Sequence, residues 1–186
     1  HHHRHAGHRR RGRRHEKPED HQGACEARQH VNHLEARLDE LAHGVEDRSA
    51  EGVAAHLFTT GHFAGNRTAY YDWHNSCLDR VISTRTGIPI SLSVLMIEVA
   101  RRVGVDLVGV GMPAHFLVRS AGDPELFFDP FHQGRRLDRV GARSLFEQVT
   151  GGQVAWDGRF LDPTPNRDIV IRMLNNLKGV FAGRSD

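Results

Sequence analysis

The sequence predicts an α+β fold in which helices come first, a small antiparallel sheet follows, and a last helix ends the domain. Apolar residues repeat at helical spacing as far as Gly104. Short apolar runs at 106–112, 115–120 and 125–131, separated by glycine and proline, then indicate strands. Helical spacing returns after Asn166. Because no helix separates these strands, the order favours an antiparallel meander over alternating βαβ units.

The helices before the sheet are predicted from apolar stripes and capping residues. The first stripe is spaced i, i+4, i+7 and i+11 and consists of Leu34, Leu38, Leu41 and Val45. Asp47 or Ser49 can cap a second helix. A short third helix is expected after the stretch YYDWHNS. A longer amphipathic helix is expected over 91–103, with Gly104 as its C-cap.

The elements after Gly104 follow from turn residues and a second helical stripe. The stretch AGDPE (121–125) is a hairpin signal between two predicted strands. A short helix is expected at 145–149. Asn166 can cap the last helix, whose apolar stripe consists of Val170, Met173, Leu174, Leu177 and Phe181.

Composition and charge limit the classes of partner. The chain has 186 residues, 38% of them hydrophobic, which suits one domain with a real core. Residues 1–20 carry six Arg and one Lys against three acids, a net of +4; the whole chain carries +2, so 21–186 carries −2. A slightly acidic body is a poor nucleic-acid surface. No apolar run approaches the roughly 20 residues that a membrane span needs. The chain has only two cysteines, one in the N-terminal segment and one in the body, which argues against a disulfide framework. This favours a reducing, cytoplasmic setting.

The N-terminal segment differs in composition from the rest of the chain. Residues 1–31 are rich in His and Arg and contain almost no large apolar side chains. Such a segment cannot bury enough surface to fold alone, so it is predicted to be disordered. The folded domain is expected over 32–186.

Two ionisable residues stand out in the predicted sheet. His115 opens one apolar strand and Asp129 closes the next. Side chains on neighbouring antiparallel strands can meet across the ladder. An aspartate there would orient the imidazole, and the imidazole could take a proton from a nucleophile, as in Cys-His-Asp hydrolases. The natural place for that nucleophile is the N-terminus of a buried helix, where the helix dipole lowers a thiol pKa.

Four stretches in this order resemble the transglutaminase-like (papain-type) superfamily, and within it the SirB-type branch. They span about 61–181 and read GHFAGNRTAYYDWHNSCLDRVISTRTGIPISLSVLMIEVARRVGV, GVGMPAHFLVR, FFDPFHQGRRL and LDPTPNRDIVIRMLNNLKGVF. The resemblance implies a helix packed on a small antiparallel sheet, with His115 and Asp129 as the catalytic pair. In active members a cysteine opens the long helix; counting back from the Gly-Val pair at 104–105 reaches Pro89 instead. The branch usually has glycine where this chain has Ala114.

Three interpretations of the missing nucleophile follow from the sequence. In the first, the domain is a degenerate enzyme whose cleft binds a protein or peptide, in interaction or regulation. In the second, Cys77, Ser91 or Ser93 replaces the nucleophile, and the protein is a hydrolase or acyltransferase acting on peptide amide bonds. In the third, His115, Asp129 and His132 hold a metal or perform acid–base chemistry alone. No cofactor is expected under the first two.

Each candidate also has a purely structural explanation. Cys77 can be a small buried hydrophobe, and Ser91 can cap the helix. His132 follows DPF in a polar loop, which favours a solvated imidazole. Arg172 and Asn176 lie on one face of the last helix, where they could brace the core or line the rim of a cleft. The same two functions are open for Asn66, Tyr71, Asn75, Arg85 and Arg167.

Overall fold

The computed structural model describes residues 18–183, with helices and strands in the order that the sequence predicts. The α-helices are α1 Pro18–His43, α2 Ala50–Ala54, α3 Leu78–Thr84, α4 Pro89–Arg102, α5 Arg139–Thr150 and α6 Asn166–Ala182. The strands are β1 Ala64–Gly65, β2 Thr86–Gly87, β3 Leu107–Val110, β4 Leu117–Ser120, β5 Phe127–Asp129 and β6 Arg135–Leu137. A π-helical segment, Ala55–Thr60, continues α2, and 3-10 turns lie at Trp73–Ser76, Pro130–His132 and Gly158–Leu161.

Four of the strands form an antiparallel meander in the order β3-β4-β5-β6. Its register pairs Val108 with Arg119, and Arg119 in turn with Phe127. The α+β class and the three predicted strands are therefore confirmed. The fourth strand, β6, was not predicted, because it begins with two exposed arginines and carries no apolar alternation. A separate two-stranded parallel pair joins β1 and β2.

Helix α4 is the buried helix that packs on this sheet. Proline at its first helical position is well tolerated there, because the missing N–H would have no intrahelical acceptor. Its Leu92, Leu95, Met96 and Val99 side chains have no solvent exposure. Gly104, with φ of +78°, follows the last turn in the left-handed conformation that glycine favours. The predicted helix over 91–103 is confirmed and begins two residues earlier.

Both faces of the meander are covered, and the strands alternate their side chains between the two sides. Val118 and Phe128 belong to the core that includes α4. Their neighbours Leu117 and Phe127 belong to a second core, with Leu145 and Phe146 of α5. This alternation makes the central strands almost continuously apolar in sequence, since neither face meets water.

The N-terminal segment corrects part of the disorder prediction. The chain divides into two compact units, 1–33 and 34–186, and residues 18–33 of the first are helical. The low apolar content correctly indicated that few side chains are buried, and those of 25–33 are exposed. Exposure does not prevent a helix here, because Glu, Ala, Arg and Gln are good helix formers and lead directly into the apolar stripe. Residues 1–17 lie outside the described residues.

The last helix packs by only part of the predicted stripe: Met173 and Leu177 are half-buried, and Met173 packs against the core cluster that contains Ile169. Ile169 is buried, whereas Val170, Leu174 and Phe181 are 54%, 59% and 52% exposed. The inner face of the helix also carries the polar Arg172, whose guanidinium donates to the Met112 carbonyl oxygen. The sequence predicts an apolar stripe on that face. None of the helices in 18–183 is long and apolar enough to cross a membrane.

An ion-pair network links α1 to α4 within the second unit. The guanidinium of Arg102, whose side chain is 9% exposed, pairs with Asp39 and Glu98 at 2.8 Å each and also with Glu35. Burial alone would lower the pKa of Arg102, but hydrogen bonds and charges from these carboxylates offset it and raise the pKa. The arginine is therefore fully charged and its charge is compensated.

We expect Arg102→Met to destabilise the domain by about 1–2 kcal/mol, because it leaves three carboxylates without their shared donor. Urea unfolding followed by circular dichroism measures this effect. Arg101→Met is the matched control: its side chain is 63% exposed and pairs with Glu98 alone, so a change within about 0.5 kcal/mol is expected. Equal effects of the two substitutions would contradict the network's role.

Candidate functional site

His115 and Asp129 meet at one end of the meander, as their strand positions predict. The two side chains are 4% and 0% exposed, and His115 Nε2 lies 2.9 Å from Asp129 Oδ1. Burial alone would raise the pKa of Asp129, but hydrogen bonds and charges from His115 and His132 outweigh it and lower the pKa. The carboxyl group is therefore ionised at neutral pH.

The ionised carboxylate determines how the His115 ring is oriented and protonated. A carboxylate only accepts hydrogen bonds, so the ring nitrogen that contacts it, Nε2, must carry a proton and donate. In the neutral imidazole the other nitrogen, Nδ1, is then unprotonated. Among residues 18–183 no hydrogen-bond partner contacts Nδ1. This is the arrangement that a general base requires, with its acceptor nitrogen turned away from the orienting acid.

A second histidine shares the same carboxylate. His132 Nδ1 lies 2.6 Å from Asp129 Oδ2, and the Arg135 guanidinium is 3.7 Å from that oxygen. The prediction of a solvated His132 is therefore wrong: the 3-10 turn after β5 folds the imidazole back onto the aspartate, and its side chain is only 30% exposed. Loop polarity alone could not indicate this contact.

These three residues are also the closest approach to a metal site in the described part of the chain. One ligand atom from each of His115, Asp129 and His132 lies within 4.8 Å of the others. A tetrahedral metal with bonds of about 2.1 Å would hold its ligand atoms about 3.4 Å apart. The observed nitrogen–oxygen distances of 2.9 and 2.6 Å are those of N–H···O bonds. The geometry favours shared protons, and a metal would need the side chains to separate.

A pocket of about 150 Å³ opens beside His115, and we call it the His115 pocket. It is lined by Tyr70, Ile88, Pro89, Ile90, Ala114, His115, Phe116, Arg172 and Asn176. The first turn of α4 thus faces the imidazole, as expected for a nucleophile position. The residue that begins this helix is Pro89, which has neither an ionisable group nor an N–H. No serine, threonine or cysteine is among the lining residues within the described chain.

The candidate replacement nucleophiles are engaged elsewhere. Ser91 Oγ accepts from Ile88 N at 3.1 Å and donates to the Asn75 carbonyl oxygen at 2.6 Å. Ser91 is therefore a residue of the first helical turn that holds the preceding segment, and Ile88 occupies the N-cap position. Ser93 Oγ donates to the Pro89 carbonyl oxygen at 2.8 Å. Neither hydroxyl contacts His115.

Cys77 lies outside the His115 pocket, at the N-cap position of α3. Its thiol pKa is raised, first by burial and then by the nearby Asp79 charge, against a smaller opposite effect of Arg80. A raised pKa keeps the thiol protonated near neutral pH, which is the opposite of what an activated nucleophile needs. Cys25, the second cysteine, is free and exposed on α1.

The last helix supplies the polar wall of the pocket. Arg172 Nη2 donates to the carbonyl oxygens of Met112 and His115, both at 3.0 Å. Arg172 thus braces the segment before β4 and lines the cleft, so for this residue both explanations that the sequence left open apply; Asn176 lines the cleft. Tyr70 was missed: the sequence singled out its neighbour Tyr71, which is 79% exposed, and a tyrosine pair carries no signal of which ring turns inward.

Comparisons with known proteins extend over most of the domain. A profile of the transglutaminase-like superfamily matches residues 25–175. A UPF0162 protein of Xylella fastidiosa (strain 9a5c) is 40% identical over 157 residues, covering 82% of this chain and 55% of that protein. A UPF0162 protein of Vibrio cholerae is 35% identical over 121 residues, covering 64% and 44%. F-box only protein 21 of Homo sapiens is 39% identical over 84 residues, covering 40% and 13%.

The lengths of these matches differ between the chain and its relatives. The chain spans about half the length of the UPF0162 proteins that it matches. The F-box protein contains the similar segment as a small part of a much longer chain. No solved structure matches the chain significantly.

Ala114, next to His115, adopts a left-handed backbone with φ of 60°. A left-handed conformation costs a non-glycine residue roughly 1–2 kcal/mol, whereas glycine loses about 0.4–1 kcal/mol through its freer unfolded state. We therefore expect Ala114→Gly to stabilise the domain by about 0.5–1 kcal/mol, measured by urea unfolding. Ala55→Gly is the control: this exposed alanine has φ of −61°, so its replacement should destabilise. Destabilisation by both would refute strain at Ala114.

The Asp129 cluster predicts a specific loss of stability in acid. The folded-state pKa of Asp129 is below its unfolded value of about 3.9, so its contribution is complete above about pH 4 and is lost as the pH falls through the folded pKa. Asp129→Asn should cost about 2–3 kcal/mol at neutral pH, because an amide cannot accept from both imidazoles. Its difference from the unmodified protein should shrink below about pH 4.

Urea unfolding midpoints measured over a pH series test this expectation. The exposed Asp162→Asn provides the control and should leave the neutral-pH midpoint nearly unchanged. A constant gap between Asp129→Asn and the unmodified protein down to the acid unfolding limit would show that the carboxylate's charge is not what stabilises the cluster.

Proposed function

The chain belongs to the transglutaminase-like superfamily, and from that premise we propose that it binds a protein or peptide segment in the His115 pocket without a thiol nucleophile. The observation that carries the proposal is Pro89 at the first position of α4, facing the oriented imidazole. A proline cannot form an acyl intermediate and offers no N–H to an oxyanion. The pocket beside the imidazole is present, while no cysteine, serine or threonine that could attack an amide carbonyl is among its lining residues in the described chain.

The His–Asp pair does not require turnover to be useful. A buried histidine needs a hydrogen-bond partner wherever it lies, and Asp129 provides one. The unprotonated Nδ1 remains available to accept a hydrogen bond from a ligand amide. The same pair that would serve a nucleophile in an active relative is thus a polar contact for an extended peptide.

The second candidate function is a hydrolase or acyltransferase on peptide amide bonds. The oriented imidazole with a free Nδ1 favours it, since this is the geometry of a general base. Such an enzyme would need Cys77 or another nucleophile to reach His115. The burial that raises the Cys77 pKa and the hydrogen bonds that occupy Ser91 argue against that movement.

The finer assignments belong to the same proposal. We place the domain in the SirB-type branch, on the four stretches that carry the resemblance, and in a reducing, cytoplasmic setting consistent with two free cysteines. The similarity to a segment of an F-box protein supports an interaction role, because one domain recurs there inside a longer and different chain.

Alkylation of Cys77 separates the two functions. With iodoacetamide at about pH 6, we expect Cys77 to react more slowly than the exposed Cys25, because burial raises the Cys77 pKa. Mass spectrometry of the two cysteine peptides gives both rates in one sample, with Cys25 as the internal reference. His115→Ala should leave the Cys77 rate unchanged. Rapid alkylation that depends on His115 would make the hydrolase the leading function.

A further inference from the structure

The His115 pocket contains a cation without an acidic partner. Arg172 is partly buried, its guanidinium lies 5.4 Å from the centre of the Phe116 ring, and its hydrogen bonds go to two neutral carbonyl groups. Within residues 18–183 no carboxylate forms an ion pair with it. Burial lowers the pKa of Arg172, and the opposing effect of Tyr70 is smaller. The guanidinium stays charged nonetheless, since arginine is not deprotonated in proteins.

Another partly buried arginine, Arg102, shows what compensation by carboxylates looks like in this chain. Arg102 is surrounded by Glu35, Asp39 and Glu98, and these carboxylates raise its pKa. Arg172 has the opposite pKa direction and no acid beside it. A desolvated cation that lacks a counter-charge is costly, and the missing charge is the one that a ligand can bring.

The rest of the lining adds further donors and no acid, and its side-chain acceptor beside the Asn176 amide and the Tyr70 phenol is Nδ1 of His115, which can take an N–H of the ligand backbone. The amide N–H of Ile90, a lining residue, has no acceptor in the described chain, and it lies at the start of a helix of 14 residues whose dipole is positive at this end. Burial raises the pKa of Tyr70, so its phenol remains a neutral donor. The Asp129 carboxylate that contacts His115 is outside the lining, with two histidines and Arg135 around it.

The size of the pocket restricts what can enter. A volume of about 150 Å³ is well below the roughly 300–1,000 Å³ of sites that enclose a drug-sized molecule. It has room for the end of one residue. A small planar anion matches both the volume and the fork of an arginine, which binds carboxylates through paired N–H groups.

We propose that the His115 pocket binds a carboxylate of the peptide partner, either a C-terminal carboxylate or the side chain of Asp or Glu. This inference rests on the proposed function and names the chemistry of its ligand. Arg172 contributes the charge, Ile90 at the first turn of α4 contributes a backbone donor, and Asn176 and Tyr70 border the anion. The partner is thus recognised by one buried acidic group.

Small blocked amino acids test the inference without any variant. N-acetylglycine presents a terminal carboxylate, N-acetylglutamic acid α-amide presents a side-chain carboxylate, and N-acetylglycinamide is the matched neutral probe. Each is titrated into the ¹⁵N-labelled chain, and amide shifts of Ile90, Ser91 and Phe116 are followed at constant ionic strength. We expect at least one acid to bind about tenfold more tightly than the amide, because hydrogen bonds to charged groups are the stronger ones.

Variants identify the cation. Arg172→Gln should abolish the preference for the acid, and Arg167→Gln, an exposed arginine on the same helix, should leave it unchanged. Equal weakening by both would show diffuse surface attraction and overturn the inference. Because Arg172 also holds two carbonyl groups, Arg172→Gln is interpreted only if its spectrum stays folded, and otherwise the three probes on the unmodified chain decide.

The possible outcomes distinguish failure of the carboxylate assignment from failure of the proposed peptide-binding function. If the acids and the amide bind the pocket equally, the carboxylate assignment is wrong while a peptide-binding pocket stands. If no probe shifts the pocket amides at concentrations approaching solubility, the carboxylate assignment is likewise wrong. Failure of the proposed function is read from a different experiment, the His115-dependent alkylation of Cys77. The tighter of the two acids tells which source of carboxylate the pocket prefers.

Discussion

The ionised carboxylate of Asp129 is the constraint on which the site depends. It is fully buried at the end of β5, and its two oxygens receive N–H groups from segments on both sides of that strand. His115 precedes β4, His132 follows β5, and Arg135 begins β6. One charge therefore joins three consecutive segments of the meander. Its desolvation is tolerated only because both imidazoles donate to it, so the aspartate and the histidines require each other.

The direction of the His115 ring follows from that same contact. With Nε2 held by Asp129, Nδ1 must point to the opposite side, where the first turn of α4 begins. A thiol at that turn would be activated twice, by the helix dipole and by the imidazole. Proline removes the reactive atom and leaves the electrostatic field in place. The helix dipole that would stabilise a thiolate then favours an anion brought by a ligand, and Arg172 adds its charge from the last helix.

The buried sheet explains why the site is rigid. Helix α4 covers one face and α5 covers the other, so β4, which follows His115, and β5, which ends at Asp129, cannot shift without disturbing two cores. Helix α6 has a different relation to the domain. It turns Arg172 inward toward the segment before β4, and turns three large apolar side chains outward. Its inner face therefore combines the polar contacts of Arg172 with apolar packing by Ile169 and Met173.

The sequence by itself determined the elements with strong periodicity: the long helix after Pro89, three strands of the meander, and the turn at Gly104. These signals are local, because they depend on spacing that the chain carries wherever it folds. It also identified His115 and Asp129 as neighbours, since both interrupt apolar strands that a short hairpin must pair. The absence of a thiol before α4 was likewise read from one position, Pro89.

The tertiary structure alone decided which side chains share a space. The second bond of Asp129, to His132, depends on a turn that polarity described as solvated loop. The inner face of α6 depends on Arg172 reaching carbonyl groups sixty and fifty-seven positions earlier in the chain. The side chains of 25–31 are exposed although this segment is helical, so a criterion based on burial could not detect the helix. The contacts of Arg172 join groups that are distant in sequence. The His132 contact and the exposed helix have no apolar pattern that would indicate them. Only the folded chain shows both kinds of feature.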